Sequence, residues 1–256
     1  MENNLDYIEF WATGHCNLNC KGCSSCSPLK DEWFLSLESL SADLNRLKFL
    51  GINILNINVL GGEPLLHPKI TEIFSLVKKI YPCANIGLLT NGLLLPTMSD
   101  DFWRTCQELD VIIKVTCFPI ISKKFRIELE TILRQHKLRY HLTDKKLFNK
   151  ILVINNKSAF EDIVKNCGCK GACNLFNGCV SRCTVPMVVQ DLNAYFGSNF
   201  LTDGKLNIYS VNDGREVVDF LMTPNDSCKN CSARTQKVVW ERADACPKLS
   251  DWLVDE

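Results

Sequence analysis

Net charge is the first thing this sequence lacks: 29 basic side chains face 29 acidic ones. No basic stripe interleaved with aromatics appears, so nucleic-acid binding has no electrostatic footprint. No apolar run approaches the roughly 20 residues that a membrane span needs. Residues 1–6 are polar and carry no signal-peptide pattern, which predicts a cytoplasmic chain with no membrane partner. Cysteine, by contrast, is abundant. Fifteen cysteines without an export signal argue against a disulfide framework and fit metal clusters in a reducing compartment. The chain has 256 residues, 46% of them hydrophobic, enough for one large domain or two modest ones with a sizeable core.

The cysteines are not scattered evenly. Cys16, Cys20 and Cys23 stand in GHCNLNCKGC, spaced C-x3-C-x2-C, directly after a strand-like run at residues 7–13. Three thiolates in one short loop can hold three irons of a [4Fe–4S] cluster and leave the fourth open to a small molecule, whereas a purely structural cluster normally takes a fourth cysteine. A zinc knuckle is the competing reading, with Cys26 or His15 as fourth ligand. A second strand-like run at residues 55–60 leads into Gly61, Gly62, Glu63 and Pro64. The two glycines permit close backbone approach, Pro64 stiffens the exit and Glu63 can offset an ammonium group.

A cysteine triad after the first strand and GGEP after the second, about forty residues apart, resembles the radical S-adenosylmethionine (SAM) enzymes. The resemblance implies that Cys16, Cys20 and Cys23 hold a [4Fe–4S] cluster. It also implies that SAM chelates the open iron, with Gly61–Pro64 against its methionine end. By the same resemblance Thr116 lies near the ribose; Asn91-Gly92 is a turn signal by itself, and Asn91 is a further candidate cofactor-side residue. One departure stands out. The position before the third cysteine is usually aromatic in the family and faces the adenine; here it is Gly22. Trp11 or Phe118 could supply the stacking instead.

Strand and helix patterns alternate through the first part of the chain. Strands are predicted at residues 7–13, 54–60, 85–90 and 111–117, with weaker ones at 138–142 and 151–154. Helices are predicted at 37–50, 68–80, 100–109 and 123–136. Such alternation implies parallel pairing with right-handed crossovers. The expected fold is therefore α/β: a partial (β/α)6 TIM-like barrel over residues 1–154, then a small cysteine-rich α+β extension over 155–256. The cysteine loop, GGEP, Thr90-Asn91-Gly92 and the segment beginning at Thr116 all fall at C-terminal strand ends, where barrels of this kind carry their sites. His67, just before Pro68, reads as a local cap.

In the extension, strands are expected at 180–190 and 206–211, a hairpin turn at Asn177-Gly178, and a short helix at 215–222. The spacing C-x10-G-x4-C runs from Cys167 through Gly178 to Cys183, and a CxxC follows at Cys228 and Cys231. This resembles the twitch extension of some radical SAM enzymes, which carries one auxiliary [4Fe–4S] cluster. Cys183, Cys228 and Cys231 are the ligands the resemblance fixes. Cys167 and Cys173 compete for the fourth place, with Cys169 behind them, and a zinc ribbon is the alternative. Cys26, Cys83, Cys106, Cys117, Cys179 and Cys246 read as ordinary thiols.

The resemblance implies an enzyme that cleaves SAM reductively and uses the 5′-deoxyadenosyl radical to abstract a substrate hydrogen, with a reductant such as flavodoxin or ferredoxin. The cysteine layout is similar to that of the aminocyclitol dehydrogenases of the superfamily. No room for a peptide-recognition domain precedes Tyr7, which favours a small polar substrate of sugar or cyclitol type over a peptide. A peptide-modifying maturase and a non-catalytic iron–sulfur or zinc protein are the alternatives. Arg182, to hold a substrate oxygen, and Asp191, as proton acceptor, are the candidate catalytic residues.

Overall fold

In the computed structural model, residues 3–244 and 246–255 are described. The chain runs β1 (Asn3–Leu5), β2 (Ile8–Trp11), α1 (Leu37–Phe49), β3 (Ile52–Ile54), β4 (Asn56–Leu60), α2 (Ile70–Ile80), β5 (Asn85–Thr90), α3 (Asp100–Glu108), β6 (Ile112–Cys117), α4 (Lys123–Gln135) and β7 (Tyr140–Asp144). It continues through β8 (Leu147–Leu152), α5 (Phe160–Lys165), β9 (Asn174–Phe176), β10 (Cys179–Ser181), α6 (Val185–Phe196), β11 (Lys205–Asn207), α7 (Gly214–Met222) and β12 (Cys231–Val239). Three helix starts are fixed by serines. Ser36, Ser99 and Ser122 each accept a hydrogen bond from the backbone N–H three residues on, at 3.1, 3.3 and 3.1 Å.

The main sheet has eight strands in the order β11-β10-β9-β2-β4-β5-β6-β7. From β9 to β7 neighbouring strands are parallel, and β10 and β11 are antiparallel to what precedes them. The sheet is open, with β11 and β7 at its two ends. Alternate side chains divide its faces. Ile8, Phe10, Ile57, Val59, Ile86, Leu88, Ile113 and Val115 are buried in the main core with the helices. The opposite face carries a polar layer. Lys114 Nζ donates to Asn58 Oδ1 at 3.0 Å, and Tyr7 donates to Glu9. A Cβ on Gly87 would lie 2.0 Å from Asn58 Oδ1, so glycine at that strand position lets the layer close.

Three expectations need correction. The sixth parallel strand is not at 151–154. Only residues 145–146 separate β7 from β8, and a parallel crossover needs a dozen or more. β8 therefore leaves the sheet and pairs antiparallel with β12. The sixth parallel strand is β9, from the cysteine-rich part, seated against β2. The expected strand at 180–190 is cut short at Ser181 and gives way to α6. Pro186 sits in the first turn of α6, Val185, Val188, Val189 and Leu192 bury one face, and Gly197 ends it in the left-handed conformation. The valines there serve helical packing. The expected 206–211 strand shrinks to β11. The Asn177-Gly178 hairpin forms as read, with φ of 46° and 72° joining β9 to β10. Among the described residues no helix is long and apolar enough to cross a membrane.

Candidate active site

The loop after β2 carries Cys16, Cys20 and Cys23. Cys20 is buried and the other two are half-buried. Their sulfurs draw N–H donors. Leu18 N lies 3.4 Å from Cys16 Sγ, Asn91 Nδ2 3.7 Å from the same sulfur, and Trp240 Nε1 3.1 Å from Cys20 Sγ. Burial, reinforced by the neighbouring thiols, pushes Cys16 up to about 11 and Cys20 up to about 12. A bound cation reverses that penalty, because thiolate is the ligating form.

The glycines of GGEP have a structural cause the sequence did not disclose. A Cβ on Gly61 would lie 2.5 Å from Thr13 O, and one on Gly62 would lie 1.9 Å from His15 O. What they approach is the backbone of the cysteine loop itself. Gly62 N donates to Thr13 O at 2.8 Å and Glu63 N to His15 O at 3.0 Å. Glu63 is fully buried. Its carboxylate accepts from Leu65 N at 3.1 Å, Thr90 Oγ1 at 2.6 Å and Asn91 N at 2.8 Å. Burial nonetheless raises it to about 7. Asn91 in turn donates from Nδ2 to Asn17 Oδ1 at 2.7 Å. Three strand ends are thus tied together through Glu63 and Asn91. Pro64 opens a short 3-10 turn, and Thr116 is half-buried on β6 beside Thr143. His67 acts as a local cap: its Nδ1 accepts from Lys69 N at 3.0 Å.

A segment that sequence reasoning missed lies over this loop. Residues 240–244 and 246–252 strap it down. Cys20 forms a bridge with Arg242, Lys21 N donates to Glu241 O at 3.0 Å, and Ala243 N donates to Asn19 O at 2.8 Å. Trp252 Nε1 donates to Cys23 O at 2.8 Å. The strap explains Gly22. Its φ is +64°, and a Cβ there would lie 2.5 Å from Asp251 O. Phe118 packs against Trp240 in a tilted pair, ring centroids 5.7 Å apart at 30°. Trp11 is buried against Phe176, with Lys30 Nζ 4.4 Å over its ring. The available signal was weak: two of five tryptophans fall in this otherwise polar stretch.

A cavity of about 230 Å³ lies beside the loop. Cys167, Cys169, Cys183, Cys228 and Cys231 line it, as does Arg182, and Gly22 and Ser24 reach it from the cysteine loop. Burial pushes Cys183 up to about 12 and Cys231 well above its ordinary range, and the other cavity thiols add to both. Cys173 is elsewhere. It is buried in the main core, and its carbonyl accepts from Glu9 N at 2.8 Å. Among the described residues no three Cys, His, Asp or Glu side chains gather as they do around a single ion. Five cysteines around one cavity supply the thiolate donors that an iron–sulfur cluster takes. Arg182 is buried, and its guanidinium donates to the carbonyls of Met222 and Leu221. Asp191 falls on α6, paired with Lys30 at 3.2 Å, and does not line the cavity.

Residues 12–116 match the family model of the Radical SAM superfamily. Residues 12–116 therefore carry a radical SAM domain, and that family implies a [4Fe–4S] cluster and SAM as its cofactors. Among particular relatives, the chain is 32% identical over 132 residues to the GTP 3′,8-cyclase of Clostridium acetobutylicum, covering 47% of this chain and 41% of that enzyme. It is 35% identical over 101 residues to that of Helicobacter pylori, covering 38% of this chain and 30% of the relative. The chain thus spans less than half the length of these curated relatives. Of solved structures, BtrN in complex with AdoMet and 2-DOIA matches with a TM-score of 0.54 at 18% identity. That match covers 89% of this chain and 85% of BtrN, and it speaks to the fold.

Proposed function

We propose that Cys16, Cys20 and Cys23 hold a [4Fe–4S] cluster whose open iron takes SAM, and that the cavity cysteines hold a second cluster. Cys183, Cys228 and Cys231 are the proposed ligands of the second cluster, completed by Cys167 or Cys169. Cys173 is left out of the set because it packs in the core. The observation that carries this reading is the cavity. One wall comes from the loop residues Gly22 and Ser24 and another from five cysteines. When bound, the first cluster supplies an electron that cleaves SAM and yields the 5′-deoxyadenosyl radical, which takes a hydrogen from the substrate.

The chain's own residues supply position and exclusion of water. Gly61 and Gly62 let the β4 end press onto the cysteine loop, and Glu63, Pro64 and Asn91 hold it there beside the SAM site. Thr116 is the proposed ribose-side residue. Arg182 has its guanidinium fixed by two carbonyls at the cavity wall, where it can hold a substrate oxygen. Asp191, tied to Lys30, is given no part. We take the substrate to be a small polar molecule of sugar or cyclitol type and the reductant to be a flavodoxin or ferredoxin. The setting is a reducing cytoplasm, which fifteen unpaired thiols suit. Anaerobic reconstitution tests the reading. It should give about eight irons per chain, and replacing Cys16, Cys20 and Cys23 together by Ala should leave about four. A protein that binds zinc stoichiometrically and takes up no iron would overturn it.

A further inference from the structure

The strap gives the cysteine loop something that the family motif does not specify. Trp240 directly follows β12, and its backbone N–H donates to Lys146 O at 2.9 Å, which anchors the residue to the β7–β8 connection. Its ring rests on Phe118. Its indole N–H then points at Cys20 Sγ, 3.1 Å away. Among the described residues this is the shortest N–H···S contact on Cys16, Cys20 or Cys23; the two on Cys16 are 3.4 and 3.7 Å. Indole is a donor only, so the direction of the bond is fixed: nitrogen gives, sulfur accepts. Cys20 is 6% exposed, so water does not compete for that sulfur.

We propose that Trp240 is a positioning residue that sets the reduction potential of the cluster held by Cys16, Cys20 and Cys23. The inference rests on the reading that these cysteines hold a cluster. Reduction adds negative charge, and part of that charge is carried by the ligand sulfurs. A donor aimed at one sulfur stabilises the reduced form more than the oxidised form and raises the potential. The indole also fills the space over Cys20, so the bond operates away from bulk water, where it counts for more. Trp252 is the internal contrast. It belongs to the same strap and bonds the same loop, but its N–H goes to the carbonyl of Cys23 and to no ligand sulfur.

The test uses the reconstituted holoenzyme of the wild type, Trp240→Phe and Trp252→Phe. Iron is counted first. The SAM-responsive electron paramagnetic resonance signal is then titrated against potential, which separates the first cluster from the auxiliary one. Trp240→Phe should load the wild-type amount of iron and be reduced only at a more negative potential. Trp252→Phe should titrate with the wild type. A fully loaded Trp240→Phe at the wild-type potential would overturn the proposal, and so would an equal shift in both variants, since that would make the effect one of strap docking. A second measurement needs no substitution. In wild-type protein labelled with 15N-tryptophan, the reduced cluster should show coupling to an exchangeable proton and to an indole nitrogen. Absence of that coupling overturns the bond itself. A chain that takes up no iron at all overturns the underlying cluster assignment, a result distinct from either.

Discussion

Replacing Gly62 by Ala is a strong test of how the site is built. The added Cβ would lie 1.9 Å from His15 O, 2.3 Å from His15 C and 2.9 Å from Cys16 N. These are backbone atoms of the cysteine loop, so no side-chain rotation relieves them. Ordinary contact lies at about 3.5 Å, so the two segments must part by roughly 1.5 Å. Parting them breaks the Gly62 N to Thr13 O and Glu63 N to His15 O hydrogen bonds. Each is worth about 1 kcal/mol net, and overpacking a closed site adds about 1–3 kcal/mol. The expected loss is roughly 3–5 kcal/mol, a large part of the ~5–15 kcal/mol that holds a domain together. Anaerobic urea unfolding of the apoprotein, followed by tryptophan fluorescence, should show a lower midpoint with unchanged slope. Gly168→Ala is the control. Nothing lies within 4 Å of its added Cβ and its φ is not positive, so that variant should be neutral or stabilised by up to about 1 kcal/mol. A Gly62→Ala protein within about 0.5 kcal/mol of wild type would refute the contact argument.

Two further outcomes are expected. Glu63, raised by burial to about 7 in the folded protein, favours folding in its protonated form. Its contribution is full below its ordinary range and lost as pH rises through 7, so between pH 5 and pH 8 wild type should lose roughly 2.5 kcal/mol relative to Glu63→Gln. Parallel stability curves for the two proteins would contradict this. Cys173→Ala should keep full iron content and cost only about 1 kcal/mol of stability, whereas Cys228→Ala should lose the auxiliary iron. Equal iron loss in both would return Cys173 to the ligand set.

Much of the frame was legible because its signals were local. The helices from α1 to α4 announce themselves by apolar spacing, and serine caps mark three of their starts. β4, β5 and β6 are runs long enough to show a period. β9, at three residues, has none, and only its hairpin turn betrayed it. β8 was misassigned because its partner, β12, lies about eighty residues away in the chain. At the site, the motif brought Gly62, Glu63 and Asn91 to the same place as the cysteine loop. Their bonds to one another, and the role of Thr90 as a donor to Glu63, belong to side-chain geometry that spacing does not encode. The strap was invisible for the same reason that β12 was: nothing near Trp240 in the sequence refers to Cys20.

That separation has a consequence for biogenesis. The bonds from Trp240 to Cys20 and from Trp252 to Cys23 close loops of 220 and 229 residues. Closing a loop that long carries an entropy penalty of about 5 kcal/mol beyond a constant term, so the strap docks only once the sheet has brought its ends together. On a ribosome moving at about 5–20 residues per second, Cys20 emerges roughly 10–40 s before the residue that covers it. During that interval the three thiols stand open to an iron–sulfur donor. After it, Cys20 is covered by the Trp240 indole. Delivery of the proposed cluster is therefore expected to be fastest while the chain is being made, and its replacement should slow to the rate at which Trp240 and its neighbours up to residue 244 move off the loop.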